Sequence, residues 1–176
     1  GSDPRAPSWR RDEFESATDV SVVIIGAGMS GLLAAHRLQQ TGVAVTILDK
    51  NTDLGGTWHE NTYPGCRVDV ANHTYSYSFQ QKFDWPDYNS PRAVLHQYFS
   101  DCADAWNVRH LIQFETEVTA MTWSDDTSSW TLETVTPEGE ATVEANVVVS
   151  AVGQLNQPIL PAIEGRESYA GTWWHS

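Results

Sequence analysis

The chain has 176 residues, of which 40% are hydrophobic and 19% charged, a balance that suits one globular domain with a buried core and not a disordered segment. Lys and Arg number 10 against 23 Asp and Glu, a formal net charge of −13, so no nucleic-acid or anionic-membrane partner is expected, since both require basic patches. No apolar stretch approaches the roughly 18–20 residues of a membrane span, and Cys66 and Cys102 are too few for a disulfide framework or a zinc site. A phosphate-bearing ligand stays open, because backbone N–H groups hold phosphate without Lys or Arg. The opening Gly1-Ser2 reads as an appended remnant with no secretion signal after it, and a reducing, cytoplasmic setting is expected.

Residues 1–18 are polar and irregular and read as a linker or N-terminal arm. Val20 to Ile25 is an almost unbroken β-branched run, the pattern of a strand buried on both faces. Residues 29–41 follow as a helix with Leu32, Ala35 and Leu38 on one face and Gly42 as its stop. Val43 to Leu48 is a second strand run, which completes a βαβ unit. Residues 49–90 are rich in Gly, Pro, Asn and aromatics, and short helical turns laid against a ligand are expected there. Residues 91–106 read as a helix with Ser90 as N-cap and Pro91 as first helical residue. Leu95, Phe99, Cys102 and Trp106 form its buried stripe. From Thr116 the period changes to two. Val118, Ala120 and Thr122 alternate with Thr119, Met121 and Trp123, and Trp130 to Val135 follows after a gap. The turn Pro137-Glu138-Gly139 leads into Thr142 to Ser150, read as one strand. The expected fold class is α/β: a Rossmann-like three-layer fold with a parallel sheet and a small antiparallel β-meander. Its domains are the arm at 1–18, a dinucleotide-binding section at 19–153 and an exit connection at 154–176.

Gly26-Ala27-Gly28-Met29-Ser30-Gly31 is a GxGxxG placed between a buried strand and a helix. The first glycine permits the tight turn, the second lets a pyrophosphate approach the backbone, and the third lets helix and strand pack closely. Asp49 ends the second strand 21 residues past Gly28, the place of an acid that accepts hydrogen bonds from a ribose. Leu54-Gly55-Gly56-Thr57-Trp58 adds a second glycine pair and a flat aromatic surface. This favours the longer FAD over NAD as the dinucleotide. The 6 histidines show no metal-ligand spacing, so no metal is expected. Asn72-His73-Thr74 is formally a glycosylation triplet, read as chance. Ser30 does not sit in a G-x-S-x-G frame.

Gly55-Gly56-Thr57-Trp58 followed by Asn61-Thr62-Tyr63-Pro64-Gly65-Cys66-Arg67-Val68-Asp69 resembles the flavin-side signature of Baeyer–Villiger monooxygenases, class B flavoproteins that use FAD and NADPH. Ala151-Val152-Gly153-Gln154-Leu155 resembles their turn after the last sheet strand. Tyr169-Ala170-Gly171-Thr172-Trp173-Trp174-His175 resembles the start of their fingerprint FxGxxxHxxxWP, with Tyr for Phe. The resemblance runs over about residues 20–176, and the wording at 63–73 is most similar to the 4-hydroxyacetophenone monooxygenase branch.

This resemblance implies an oxidoreductase in which NADPH reduces FAD, O₂ adds to the flavin, and a peroxyflavin converts a ketone into an ester or lactone. It implies a catalytic role for Asp69, which would orient an Arg supplied from outside this chain. It also implies that Met29, Ser30, Lys50, Thr57, Trp58, Val70 and Tyr75 line FAD, that Val118 contacts adenine through its backbone, and that Ala151 and Gly153 turn near the pyrophosphate. Gln154 would face the nicotinamide and substrate side. With Gly26, Gly28, Gly31, Asp49 and Gly56 these complete the expected cofactor site. NADPH would bind a domain absent from this chain, and the partners would be a ketone and O₂. Plainer readings stand beside these: Asp69 as a turn-former, Trp58 as core, His175 as a structural residue of the connection. Two rival functions also remain. One is a cofactor-binding module that performs no turnover by itself; the other is a section of an N- or S-oxygenating flavin monooxygenase.

Overall fold

The computed structural model describes residues 3–14 and 19–174. Strand β1 (Ser21–Ile25) runs at the centre of a four-stranded parallel sheet. On one side it pairs with β2 (Ala44–Leu48), Ser21 opposite Ala44 through Ile25 opposite Leu48, and β2 pairs in turn with a short edge strand, β3 (Ile112–Gln113). The edge strand was not expected: two residues are too few to show a period. Helix α1 (Met29–Thr41) crosses between β1 and β2 and stops at Gly42, whose φ of 78° is the left-handed conformation that glycine adopts freely. A four-residue helix, α2 (Thr57–Glu60), and helix α3 (Arg92–Ala105) follow.

The expected cap of α3 is shifted by one residue. Pro91 is the N-cap in extended conformation, and no side chain caps the helix. Ser90 is fully buried, and its hydroxyl accepts a hydrogen bond from Asn72 Nδ2 (2.8 Å) instead of turning to the helix. Asn72 is 0% exposed; its amide also donates to Asp87 O (2.6 Å) and accepts from Ser90 N–H (2.9 Å), so the glycosylation triplet is a structural clasp.

The meander is an antiparallel sheet of β4 (Glu117–Ser124), β5 (Ser129–Thr136) and β6 (Gly139–Ala145) in that order. The expected single strand from 142 to 150 is two strands in two sheets. Chain direction changes at Asn146, whose N–H donates to Ser21 O (3.1 Å) and whose Oδ1 accepts from Ser21 N–H (3.0 Å). Beyond it β7 (Val147–Ser150) joins the parallel sheet beside β1, Val22 opposite Val147 through Ile25 opposite Ser150. The strict alternation expected in β4 also breaks. Pairing shifts by one residue between Val118 and Ala120, as in a β-bulge, so Val118, Met121 and Trp123 lie opposite Thr134, Leu132 and Trp130 on one face.

Because β1 is covered on both faces, alternate residues enter different cores. Val22 and Ile24 face α1 and α3 in a cluster with Leu32, Ala35, Leu95, Phe99 and Trp106. Val23 faces the meander with Leu48, Leu132 and Ala145. The result is the expected three layers: helices, parallel sheet, meander. Among the described residues no helix is long and apolar enough to cross a membrane. Part of the arm is laid on α1: the Asp3 carboxylate pairs with Arg37 at 2.6 Å, and Arg10 donates to Gln40 O at 3.3 Å.

Candidate functional site

The strand ends and the loops that follow them set the site. Gly26 takes φ 103° directly after β1, its N–H donating to Leu48 O (2.8 Å), and a Cβ there would lie 2.7 Å from Ala151 O. Gly31 is tighter still: a Cβ would lie 1.9 Å from Gly26 O, so the third glycine is what lets α1 begin beside its own strand. The first internal bond of α1 runs from Leu32 N–H to Gly28 O (3.0 Å), and Gly28 provides no side-chain cap. The N–H groups of Met29, Ser30 and Gly31 therefore precede the helical ladder, at the positive end of the helix dipole.

The second glycine pair meets the first. Gly55 N–H donates to Ala27 O (3.1 Å); a Cβ on Gly28 would lie 3.6 Å from Gly56 Cα, and one on Gly56 would lie 3.2 Å from Gly28 Cα. Two bare backbones thus approach each other on the wall of a cavity of about 690 Å³ at the carboxyl ends of β1, β2 and β7. Open parallel sheets hold their ligands at this edge. Asp49 is 5% exposed, and its carboxylate accepts from Ala27 N–H (2.6 Å) and Asn51 N–H (2.8 Å), one oxygen each. Each oxygen keeps a further acceptor position toward the cavity. Trp58 is 6% exposed, stands edge-on to Tyr75 with ring centroids 5.6 Å apart, and donates from Nε1 to Tyr75 Oη (3.2 Å). Both rings line the cavity; Trp58 belongs to the buried core and Tyr75 is packed against it.

The structure brings most of the expected set together. Gly26, Gly28, Met29, Ser30, Asp49, Lys50, Gly56, Thr57, Trp58, Tyr75, Val118, Ala151, Gly153 and Gln154 all line this one cavity. Gly31 lies behind it, against Gly26. Asp69 and Val70 are exposed and do not line it, although Val68 just before them is buried in the core. His175 lies outside the described residues. Sequence reasoning missed Asn51, Glu60, Thr116 and Glu117, which also line the cavity. Glu60 holds Lys50 Nζ at 3.4 Å and accepts from Asn51 Nδ2 at 2.9 Å. No motif marks that acid; only the fold of α2 turns it toward Lys50.

A family profile described as an NAD(P)-binding Rossmann-like domain matches residues 24–86. A curated Baeyer-Villiger monooxygenase of Streptomyces coelicolor is 39% identical over 158 residues, which cover 89% of this chain and 30% of the relative. Cyclohexanone monooxygenase from Rhodococcus sp. Phi1, solved with NADP+ bound, aligns with a TM-score of 0.75 at 33% identity, over 89% of this chain and 30% of that one. OTEMO, solved in complex with FAD and NADP, aligns with a TM-score of 0.75 at 29% identity, over 88% and 29%. The chain therefore spans about three-tenths of the length of the relatives it matches. The glycine-lined cavity, the sequence identity and the shared fold agree: the chain is similar to one section of the Baeyer–Villiger monooxygenases.

Proposed function

We propose that this chain holds FAD and serves an NADPH- and O₂-dependent monooxygenase that converts ketones to esters or lactones. The observation that carries the reading is the approach of Gly28 to Gly56 on the wall of the cavity, where two backbones without side chains meet. The residues present suit the cofactor. Met29, Ser30 and Gly31 offer N–H groups to a pyrophosphate at the start of α1. The Asp49 carboxylate, already oriented by two backbone N–H groups, accepts a ribose hydroxyl. Ala151 and Gly153 bring the end of β7 against the same edge, and Trp58, hydrogen-bonded to Tyr75, forms part of the cavity wall. Bound FAD supplies the electron transfer and oxygen chemistry, with NADPH as reductant; the chain orients and shields it. Asp69 is proposed as the acid that holds an Arg from outside the chain. Its exposed position leaves it reachable by such a partner. Residues 19–153 form the FAD-binding section in this reading, and 154–176 the connection toward the NADPH-binding part.

A module that binds cofactor but performs no turnover by itself fits the chain as it stands, since it spans so little of its relatives' length. Titration of the chain with FAD, followed by flavin fluorescence, tests the assignment. Saturable quenching is expected, weak because only this section is present, and Gly28→Val should abolish it. Equal titrations for both proteins would sink the placement of FAD on residues 26–31.

A further inference from the structure

Asp53 and His59 are near neighbours in sequence and His96 is distant from both, yet each of the three offers a donor atom lying within 4.8 Å of the others'. Asp53 comes from the loop after β2, His59 from α2 and His96 from α3. None of them lines the dinucleotide cavity. They flank the other side of the second glycine pair: a Cβ on Gly55 would lie 2.7 Å from His96 Cδ2 and 3.4 Å from His59 Cβ. We propose that Asp53, His59 and His96 bind a divalent transition-metal ion, tying α2, α3 and the Gly55-Gly56 loop together from outside the cavity.

The donor set is two imidazoles and one carboxylate, which suits Zn²⁺, Co²⁺, Ni²⁺ or Cu²⁺ and not the all-oxygen preference of Ca²⁺ or Mg²⁺. Three protein ligands leave a fourth position for water, and all three residues are partly exposed. Bonds of about 2.0–2.2 Å in a tetrahedral site place ligand atoms roughly 3.3–3.5 Å apart. Asp53 Oδ2 and His96 Nε2 already stand at 3.4 Å, so side-chain rotation at His59 is what closes the triangle.

The surroundings orient the ligands, as outer hydrogen bonds do at metal sites. Asp53 Oδ1 is engaged by Leu54 N–H (2.8 Å) and by Arg109 Nη1 (3.5 Å), which leaves Oδ2 turned to His96. Arg109 is itself fixed by Asp104 (2.6 Å) and Ser100 (2.6 Å). The His59 carbonyl accepts from Arg92 Nη2 (2.9 Å), which holds the end of α2 against α3. In the metal-free chain His96 Nε2 is 3.0 Å from Leu54 O, to which its N–H donates. A metal on that nitrogen replaces this bond, and the ring proton then resides on Nδ1.

Titration of the chain with zinc chloride by calorimetry tests the site, and it does not depend on whether the cavity holds FAD. One equivalent of Zn²⁺ is expected to bind. His59→Gln and His96→Gln should each weaken it by about tenfold or more, about 1.4 kcal/mol or more, while His73→Gln leaves it unchanged. Circular dichroism checks that each variant folds. Since the His96 ring is packed on Gly55, His59→Gln keeps the test decisive if His96→Gln does not fold. Co²⁺ should give visible d–d bands with the parent chain that vanish with His59→Gln. No Zn²⁺ heat and no Co²⁺ bands, or binding unaltered in His59→Gln, would overturn the proposal.

Discussion

Two glycines of the GxGxxG occupy different physical situations, although they look equivalent in the sequence. At Gly31 a Cβ meets the rigid backbone oxygen of Gly26 at 1.9 Å; at Gly28 it meets only Gly56 Cα, at the ordinary distance of 3.6 Å. Gly31→Ala must therefore push helix and strand apart, and a loss of about 2 kcal/mol or more is expected in urea unfolding, as for other overpacked sites. Gly28→Ala should unfold at nearly the parental midpoint. Equal midpoints for Gly31→Ala and the parent would show that α1 shifts without cost. Asp49 is a further residue whose type was legible and whose geometry was not. Its place at the end of β2 follows from spacing, but its anchoring by Ala27 and Asn51 N–H groups follows from the turn.

Elements carry information that a periodic pattern conceals. From Thr142 to Ser150 the residues read as one strand, because both halves are β-formers and nothing in the pattern stops them. Asn146 divides them by bonding twice to Ser21 and passing the chain from the meander to the parallel sheet. Conversely, the long stretch 49–90 offers little periodicity yet is held by defined contacts. Asn72 is its clasp, satisfied at both ends of its amide and fully buried. Asn72→Ala leaves Ser90 N–H and Asp87 O without their partner, and each buried group left unpaired costs about 1–3 kcal/mol. A midpoint drop matching about 2 kcal/mol or more is expected in chemical denaturation, and an unchanged midpoint would show that water reaches the clasp.

Across the whole molecule, one histidine couples α1 to the helical layer around it. His36 stacks on Trp106 (4.4 Å between centroids) and on Phe79 (5.7 Å), and the Arg37 guanidinium lies 4.2 Å from the Phe79 ring centre. Burial between these rings holds its pKa below the ordinary 6.5; neighbouring Arg37 lowers it further, and Asp3 partly opposes both. The fold thus prefers neutral His36, while the unfolded chain takes up its proton first. The contribution is intact above pH 6.5 and is lost as pH falls through 6.5 toward the depressed folded value. Thermal melts should therefore lose more stability between pH 7.5 and 5.5 in the parent than in His36→Phe, which keeps the stacking and cannot titrate. Parallel pH dependences would show that His36 does not contribute.

Sequence alone determined the βαβ unit, the glycine fingerprint, the acid at the end of β2 and the family resemblance. Each rests on neighbours in the chain or on a spacing that local geometry imposes. Tertiary structure decided which of these residues share one cavity, and it left Asp69 and Val70 outside. It also gathered Asp53, His59 and His96, which no ligand spacing announced, because the packing of α3 brings His96 to the loop and helix that carry the other two. Backbone approaches such as Gly28 to Gly56 belong to the same class. They are decided where two loops meet in space, and a one-dimensional pattern records only that both loops are free of side chains.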